Sequence, residues 1–310
     1  MPCDREDQMD ESAKSRAFPS RNEFDEDAYL LLHPDVSSAL NAGIVGSAWQ
    51  HFTLHGFAEG RQWISRTDPF FGINREIAPG DEMYFENETH YFDAGESALH
   101  CVESALFAAR RKKASITRIL DLPCGYGRVL RFLKNAFPGA QLTACDLNRD
   151  GVDFCARKFG ALPVISAVNA EDIPLSEKFD LIWCGSLLTH LPRESCAAFL
   201  ECFQRALRPS GILVFTLHGR HCEAELTSGK NRCGLDDVQI AQLVRDYRES
   251  GFGYVDYAGQ PGYGISLARP SFVAANFLQH PAWQLIAYHE AGWDKRQDVI
   301  SVQRSANKSA

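Results

Sequence analysis

The 310-residue sequence has no apolar run of about 18 residues, the length that a membrane-crossing helix needs. Its first residues, MPCDREDQMDESAKSR, are charged where a secretory leader would be apolar. Paired CxxC motifs are also lacking, and most of the ten cysteines lie within apolar segments, as reduced thiols of intracellular enzymes do. We therefore expect a cytoplasmic protein with no membrane partner and no disulfide bonds.

An excess of basic residues is lacking as well. Lysine and arginine number 32 against 40 aspartates and glutamates, so the formal net charge is -8, and the basic residues are scattered. Because such a chain repels a phosphate backbone, we expect no nucleic acid as partner. At 45% hydrophobic residues, the chain can bury one large α/β core and a small appendage. Its oligomeric state stays open.

Four regions follow one another along the chain. Residues 1–23 are polar without periodicity, which predicts a disordered tail. Short helical patterns broken by proline and glycine predict a small helical module over residues 24–66. Residues 67–96 are aromatic and punctuated by proline, which predicts a linker that caps the main domain at 97–310. One apolar cluster is expected in the module, from Tyr29, Leu30, Val36, Leu40, Ile44, Trp49, Phe52 and Leu54.

The module carries a tyrosine, a PDV motif and an HGFAEGR ending. It resembles a helical module found beside bacterial glycan-related and surface-associated enzymes, which implies an accessory role. Simple packing against the rest of the protein is the alternative.

The main domain alternates strand patterns with helix patterns. Such an order predicts a doubly wound, mostly parallel sheet with helices on both faces. Helical patterns cover Ser97–Ala109, Arg128–Phe137, Gly151–Phe159, Glu194–Leu207 and Asp236–Glu249. Seven apolar segments read as strands: ITRILDL, QLTACD, LPVISAV, FDLIWCG, GILVFTL, AWQLIAYHE and QDVISVQR.

Polar groups follow the first three strands, where a doubly wound sheet binds ligands. Gly125 and Gly127 form a turn that lets backbone approach a ligand, and a helix near Arg128 offers N–H groups. Asp146 lies 19 residues after Gly127, a position from which a carboxylate takes both hydroxyls of a ribose. Asp121, before the glycines, suits an ammonium or a water near the reactive end of the ligand. Further acceptors follow the third strand: Asn169, Ala170, Glu171 and Asp172.

The ordered motifs ILDLPCGYGR, LTACDLN, NAEDIP, FDLIWCGSLLTHLP and LRPSGILVFT resemble the class I S-adenosylmethionine-dependent methyltransferases, over roughly residues 92–304. The resemblance implies a Rossmann-like transferase with S-adenosylmethionine as cofactor. It implies that Asp146 binds the ribose, and that Tyr91 and Gly95 of YFDAG cover the methionine end. The remaining implied contacts are Asp121, Cys124, Gly125 and Gly127 around the methionine, Leu147, Asn169 and Ala170 at the adenine, and Gly185 from the fourth strand.

Pro123 departs from the family pattern, which commonly has glycine there. Proline fits this turn if the position needs a negative φ and leaves its N–H unused. A dinucleotide-binding oxidoreductase is disfavoured, because its fingerprint requires a glycine where Leu130 stands. A scaffolding protein that keeps the fold without transferring methyl groups is the second hypothesis.

Two histidines are candidates for a general base. His190 follows the fourth strand in GSLLTHLP, and His218 follows the fifth. Capping or packing is the competing interpretation for His190. His218, His221, Cys222 and Cys233 lack the paired spacing of zinc ligands, so we expect no metal.

Two insertions are expected to define the acceptor, at residues 218–235 and 251–270. The second is rich in glycine and tyrosine and predicts either a mobile lid or an ordered loop, with Tyr254, Tyr257 and Tyr263 facing the acceptor. The sequence thus predicts methyl transfer to a small-molecule or glycan-linked acceptor, at oxygen.

Overall fold

The computed structural model describes residues 18–63, 65, 70, 72–85 and 87–306, so most of the predicted tail at 1–23 lies outside the described residues. The chain divides into two compact units, one ending at Ile73 and the other beginning at Asn74. Over the described ranges, no helix combines the length and apolar character needed to cross a membrane.

The N-terminal unit contains three short helices, Glu26–Leu32 (α1), Pro34–Asn41 (α2) and Ala48–His51 (α3). The Asp25 side chain begins α1 by accepting a hydrogen bond from the Ala28 N–H at 2.9 Å. The buried core of the N-terminal unit consists of Phe24, Tyr29, Val36, Ala48 and Phe52. The expected cluster is therefore confirmed in part, but Ile44 and Leu54 are exposed, because Ile44 lies in the turn after α2 and Leu54 faces outward.

The C-terminal unit is built on a seven-stranded sheet, which confirms the predicted fold class. Its strand order is β3-β2-β1-β4-β5-β9-β8, and β9 alone runs antiparallel to both of its neighbours. The order reverses between β1 and β4, so their carboxyl ends open a crevice. The strands are Arg118–Asp121 (β1), Gln141–Asp146 (β2), Leu162–Ile165 (β3), Phe179–Cys184 (β4), Leu207–Leu217 (β5), Trp283–Trp293 (β8) and Gln297–Arg304 (β9).

Helices cover both faces of this sheet and bury two apolar layers. The central strands are apolar on both sides because neither face meets water; all six residues of β4 are buried. The helices of this unit are Glu88–Ala108 (α4), Leu130–Ala136 (α5), Arg149–Phe159 (α6), Arg193–Ala206 (α7), Arg220–Ser228 (α8), Asp237–Ser250 (α9) and the short Pro270–Phe272 (α10).

Helix α4 begins nine residues earlier than the sequence pattern predicts. The Asn87 side chain accepts from the His90 N–H at 3.0 Å and starts the helix at Glu88. The segment interpreted as a linker, 67–96, is therefore helical over its last residues. Tyr91 and Phe92 near the start of α4 are buried, and both rings contact Arg131 of α5, which no local pattern indicates.

The insertion at 251–270 is an antiparallel hairpin of Phe252–Tyr257 (β6) and Gln260–Ala268 (β7), and its movement as a lid stays a prediction. The hairpin packs on α9 and shares a small core with it. The first insertion, 218–235, contains α8. Hairpin and helix together place new side chains beside the carboxyl ends of β4 and β5.

Candidate active site

The turn after β1 is held in a conformation that requires glycine. Gly125 and Gly127 have φ values of +50° and +81°, in the left-handed region. A Cβ at Gly127 would lie 2.4 Å from Cε2 of Phe159, so a larger residue would displace helix α6. The Leu122–Pro123 peptide bond is cis. As a proline, Pro123 has no N–H to satisfy. Three other amides of the turn, those of Cys124, Gly125 and Gly127, donate to the Cys145 carbonyl, to Asp146 and to the Cys124 carbonyl.

Asp146 connects the end of β2 to this glycine turn. Its Oδ2 atom accepts from the Gly125 N–H at 2.8 Å, and its Oδ1 atom accepts from the Asn148 N–H at 2.9 Å. Each carboxylate oxygen has a second lone pair, so both can accept from a ligand as well. The half-buried Asp146 therefore both shapes the turn and can bind a diol.

Asp121 is a buried acid without a protein partner. Its side chain is 1% exposed, and neither carboxylate oxygen accepts a hydrogen bond from any residue that the structure describes. Burial, followed by the charge of Asp146, raises the pKa of Asp121 well above its usual range, while Arg128 acts in the opposite direction. An orphaned buried carboxyl group is costly, so this position favours a ligand that donates hydrogen bonds or carries positive charge.

These groups line one cleft of about 700 Å³ at the carboxyl edge of the sheet. The cleft is mostly apolar and has a few convergent polar groups, which is typical of small-molecule sites. The predicted residues that the structure brings together there are Asp121, Pro123, Cys124, Gly125, Asp146, Leu147, Asn169, Gly185 and His190.

The other predicted residues lie behind or beside the cleft walls. Tyr91 is fully buried within α4 and donates to Asp81, a cleft residue, at 2.6 Å. Gly95 is packed so tightly that a Cβ would lie 2.5 Å from the Arg128 carbonyl oxygen. Gly127 faces α6, Ala170 is buried, and Glu171 is exposed. Cofactor contact by these five residues stays a prediction.

His190 lines the cleft and is fixed in one tautomer. Its Nδ1 atom lies 2.8 Å from the Gly264 carbonyl oxygen, which can only accept. Nδ1 therefore carries the proton and Nε2 holds the free lone pair. Burial lowers the pKa of His190, so the ring is neutral near neutral pH. A neutral imidazole with a free Nε2 can accept a proton.

His218 lies behind His190 rather than in the cleft. Its ring centroid is 6.3 Å from that of His190, and the side chain is 3% exposed. Burial, with smaller effects of Arg296 and His190, lowers the pKa of His218 to about 3. The structure therefore places only one of the two candidate bases where an acceptor could reach it.

The buried neutral His218 predicts a pH-dependent stability. An unfolded chain binds a proton at this residue below its ordinary pKa of about 6.5, whereas the folded chain does not, so stability falls as pH falls from there towards 3. Between pH 7 and 5, we expect the unfolding free energy of His218→Gln to fall by about 2 kcal/mol less than that of the wild type. Urea unfolding at both pH values measures this, with the exposed His280→Gln as control. Equal losses in wild type and His218→Gln would contradict the assignment.

Sequence reasoning missed the aromatic and cationic part of the cleft. Arg128 lies 5.5 Å above the Trp293 ring and forms no hydrogen bond or ion pair with any described residue. Burial lowers its pKa, partly offset by Tyr91 and nearby acids. Trp183 and Trp293 meet edge to face at 5.3 Å. An arginine directly after a glycine turn was the one signal available for Arg128; Trp293 lies on a distant strand.

Residues 119–211 match the family model described as "Methyltransferase domain". The chain is 33% identical over 102 residues to a fatty-acid O-methyltransferase of Mycolicibacterium smegmatis, covering 32% of this chain and 36% of that protein. It is 34% identical over 157 residues to a phthiotriol/phenolphthiotriol dimycocerosates methyltransferase of Mycobacterium ulcerans, covering 50% and 51%. A malonyl-[acyl-carrier protein] O-methyltransferase of Paenibacillus is 27% identical over 180 residues, covering 51% and 63%.

The chain thus spans from about a third to under two thirds of these curated relatives. The matched segment contains β1, the glycine turn and Asp146, and it ends within β5. Together with the observed strand order, the match makes this part of the chain similar to a methyltransferase domain.

Proposed function

We propose that the protein transfers a methyl group from S-adenosylmethionine to an oxygen of a small-molecule or glycan-linked acceptor in the cytoplasm. One observation carries this proposal: the unpartnered Asp121, the Asp146-bound glycine turn and the neutral His190 line a single cleft. The charge of -8 supports an acceptor other than nucleic acid.

The cleft residues fit the parts of the cofactor. Asp146 would accept from the two ribose hydroxyls, as its position after the glycine turn favours. Leu147 and Asn169 border the space for the adenine. The acid Asp121 suits the amino group, and the unpaired guanidinium of Arg128 suits the carboxylate. The buried acid and the unpaired arginine would thus gain the partners that the protein itself does not supply.

The bound donor supplies an electrophilic methyl group whose departure leaves a neutral sulfur. No strong acid is therefore required, and the protein contributes mainly orientation in a water-poor cleft. An acceptor hydroxyl must still lose its proton, and Nε2 of His190 would accept it; the supporting observations are its free lone pair and its position in the cleft lining. Transfer at oxygen is also the reaction in the names of two of the relatives.

The direct test is methyl transfer by the purified chain. Formation of S-adenosylhomocysteine and of a methylated product is followed by mass spectrometry, with bacterial small-molecule and glycan fractions as acceptors. We expect a rate that depends on the acceptor. Cofactor binding without any acceptor-dependent turnover would support the scaffolding hypothesis instead.

Arg128→Gln tests the assignment of the carboxylate. We expect the dissociation constant of S-adenosylhomocysteine to rise about tenfold, because one charge-assisted contact is lost. Methylthioadenosine lacks the amino-acid part, so its dissociation constant should not change. Calorimetry of both ligands measures this, with the exposed Arg149→Gln as control. An equal loss for both ligands would show that Arg128 supports the fold rather than the carboxylate.

A further inference from the structure

The β6–β7 hairpin carries the residues that surround His190 on its acceptor side. Tyr263 of β7 stacks on the His190 ring with centroids 5.1 Å apart and planes 25° apart. The next residue, Gly264, provides the carbonyl oxygen that fixes the tautomer of His190. Tyr257, on β6, adds a third ring at 6.0 Å. The orientation of the base and the aromatic surface beside it therefore depend on one hairpin.

Tyr263 is a partly exposed residue of the cleft wall. It lines the cleft together with Pro261 and Gly262, and 43% of the residue is exposed. Burial, followed by the charges of Asp146 and Glu82, raises the pKa of its hydroxyl. One face of the ring lies on His190, and Tyr257 contacts the ring at 5.7 Å, so the exposed part of the ring is what an aromatic molecule can contact.

Charge disfavours an anionic acceptor in this cleft. Its described lining contains three aspartates, Asp81, Asp121 and Asp146, and Arg128 is its one arginine. Under the proposed function, the cofactor carboxylate occupies Arg128. A free carboxylate acceptor would then have no cation to pair with, and burying an unpaired charge is costly.

The strength of the base favours an acidic hydroxyl. Burial lowers the pKa of His190 and so weakens it as a base. A phenolic hydroxyl has a pKa near 10 and gives up its proton far more readily than an aliphatic alcohol. The weakened imidazole therefore matches a phenol and not a sugar hydroxyl.

We propose that the acceptor is an uncharged planar compound with an aromatic hydroxyl, with its ring against the edge of Tyr263 and its oxygen at Nε2 of His190. This inference rests on the proposed function and narrows its acceptor. The acceptor oxygen forms the bond to the methyl carbon, its proton passes to Nε2, and the electron pair of the broken sulfur–carbon bond stays on sulfur.

Three probes of similar ring size separate the acceptor classes: β-naphthol, decahydro-β-naphthol and β-naphthoate. Methyl transfer is measured with isotopically labelled S-adenosylmethionine at pH 7.5. We expect β-naphthol to be methylated with a kcat/KM roughly 100-fold above that of the saturated alcohol, and the carboxylate to react no faster than the alcohol. Preferred turnover of β-naphthoate or of decahydro-β-naphthol would overturn the inference, and so would turnover of none of the three.

Tyr263→Leu tests the aromatic contact with the acceptor. We expect KM for β-naphthol to rise about tenfold, with the dissociation constant of S-adenosylhomocysteine within about twofold of wild type. Tyr263→Phe restores a planar ring and should recover most of kcat/KM. Failure of the wild-type protein to bind S-adenosylhomocysteine would contradict the proposed function itself. Intact cofactor binding with no effect of Tyr263→Leu on KM would contradict only the acceptor assignment.

Discussion

Asp146→Ala is expected to weaken binding of S-adenosylhomocysteine roughly 100-fold or more. The substitution removes two acceptors for the ribose hydroxyls, and it also frees the Gly125 N–H that Asp146 holds at 2.8 Å. Binding is measured by isothermal titration calorimetry. Because the strand end is buried by its neighbours and not by Asp146, the unfolding transition should stay cooperative.

Asp150→Ala is the matched control for this prediction. Asp150 is an exposed acid in the first turn of α6, only four residues away. Its removal should change the affinity by less than about twofold, as expected for an exposed charge. Equal affinities of Asp146→Ala and wild type would show that the cofactor does not bind at the end of β2.

His190→Ala is expected to lower kcat for a hydroxyl acceptor by a factor of about 100 to 10,000, the range of a positioned general base. Cofactor affinity should not change, because His190 lies on the acceptor side of the cleft in the proposed arrangement. In the wild type, the pH at which kcat/KM drops to half on the acid side should lie below the ordinary pKa of histidine, since burial lowers the pKa of His190. Initial rates between pH 4.5 and 8.5 measure both effects.

The exposed His100→Ala serves as control for the histidine series and should keep the wild-type rate. A His190→Ala variant that retains wild-type kcat would remove the general base from the mechanism. The packing interpretation would then hold for His190, whose Nδ1 atom already binds the hairpin.

The sheet was predictable because its signals are local. Strand β4 is buried on both faces, so its apolar run stands out in the sequence, and glycines with positive φ mark the turn after β1. The position of Asp146 beside the glycine turn could be predicted from its spacing from Gly127 alone, because the strand, the turn and the helix have nearly fixed lengths.

The acceptor side was not predictable in the same way, because it depends on contacts between distant segments. His190 and Gly264 are 74 residues apart, and no local pattern indicates that the carbonyl of one fixes the tautomer of the other. Trp293 is the last residue of β8 and comes to Arg128 from a distant part of the chain. Tyr263 was expected to face the acceptor, but its stacking on His190 follows only from the packed hairpin.

The central claim is that the cleft at the carboxyl ends of β1, β2 and β4 binds the adenosyl cofactor. A crystal structure of the protein with S-adenosylhomocysteine at saturating concentration tests it most directly. The account predicts the ribose on Asp146, the amino group at Asp121 and the sulfur turned towards the side of the cleft that holds His190 and Tyr263. Electron density for the ligand elsewhere on the protein, or a cleft filled by its own side chains at saturating ligand, would contradict it.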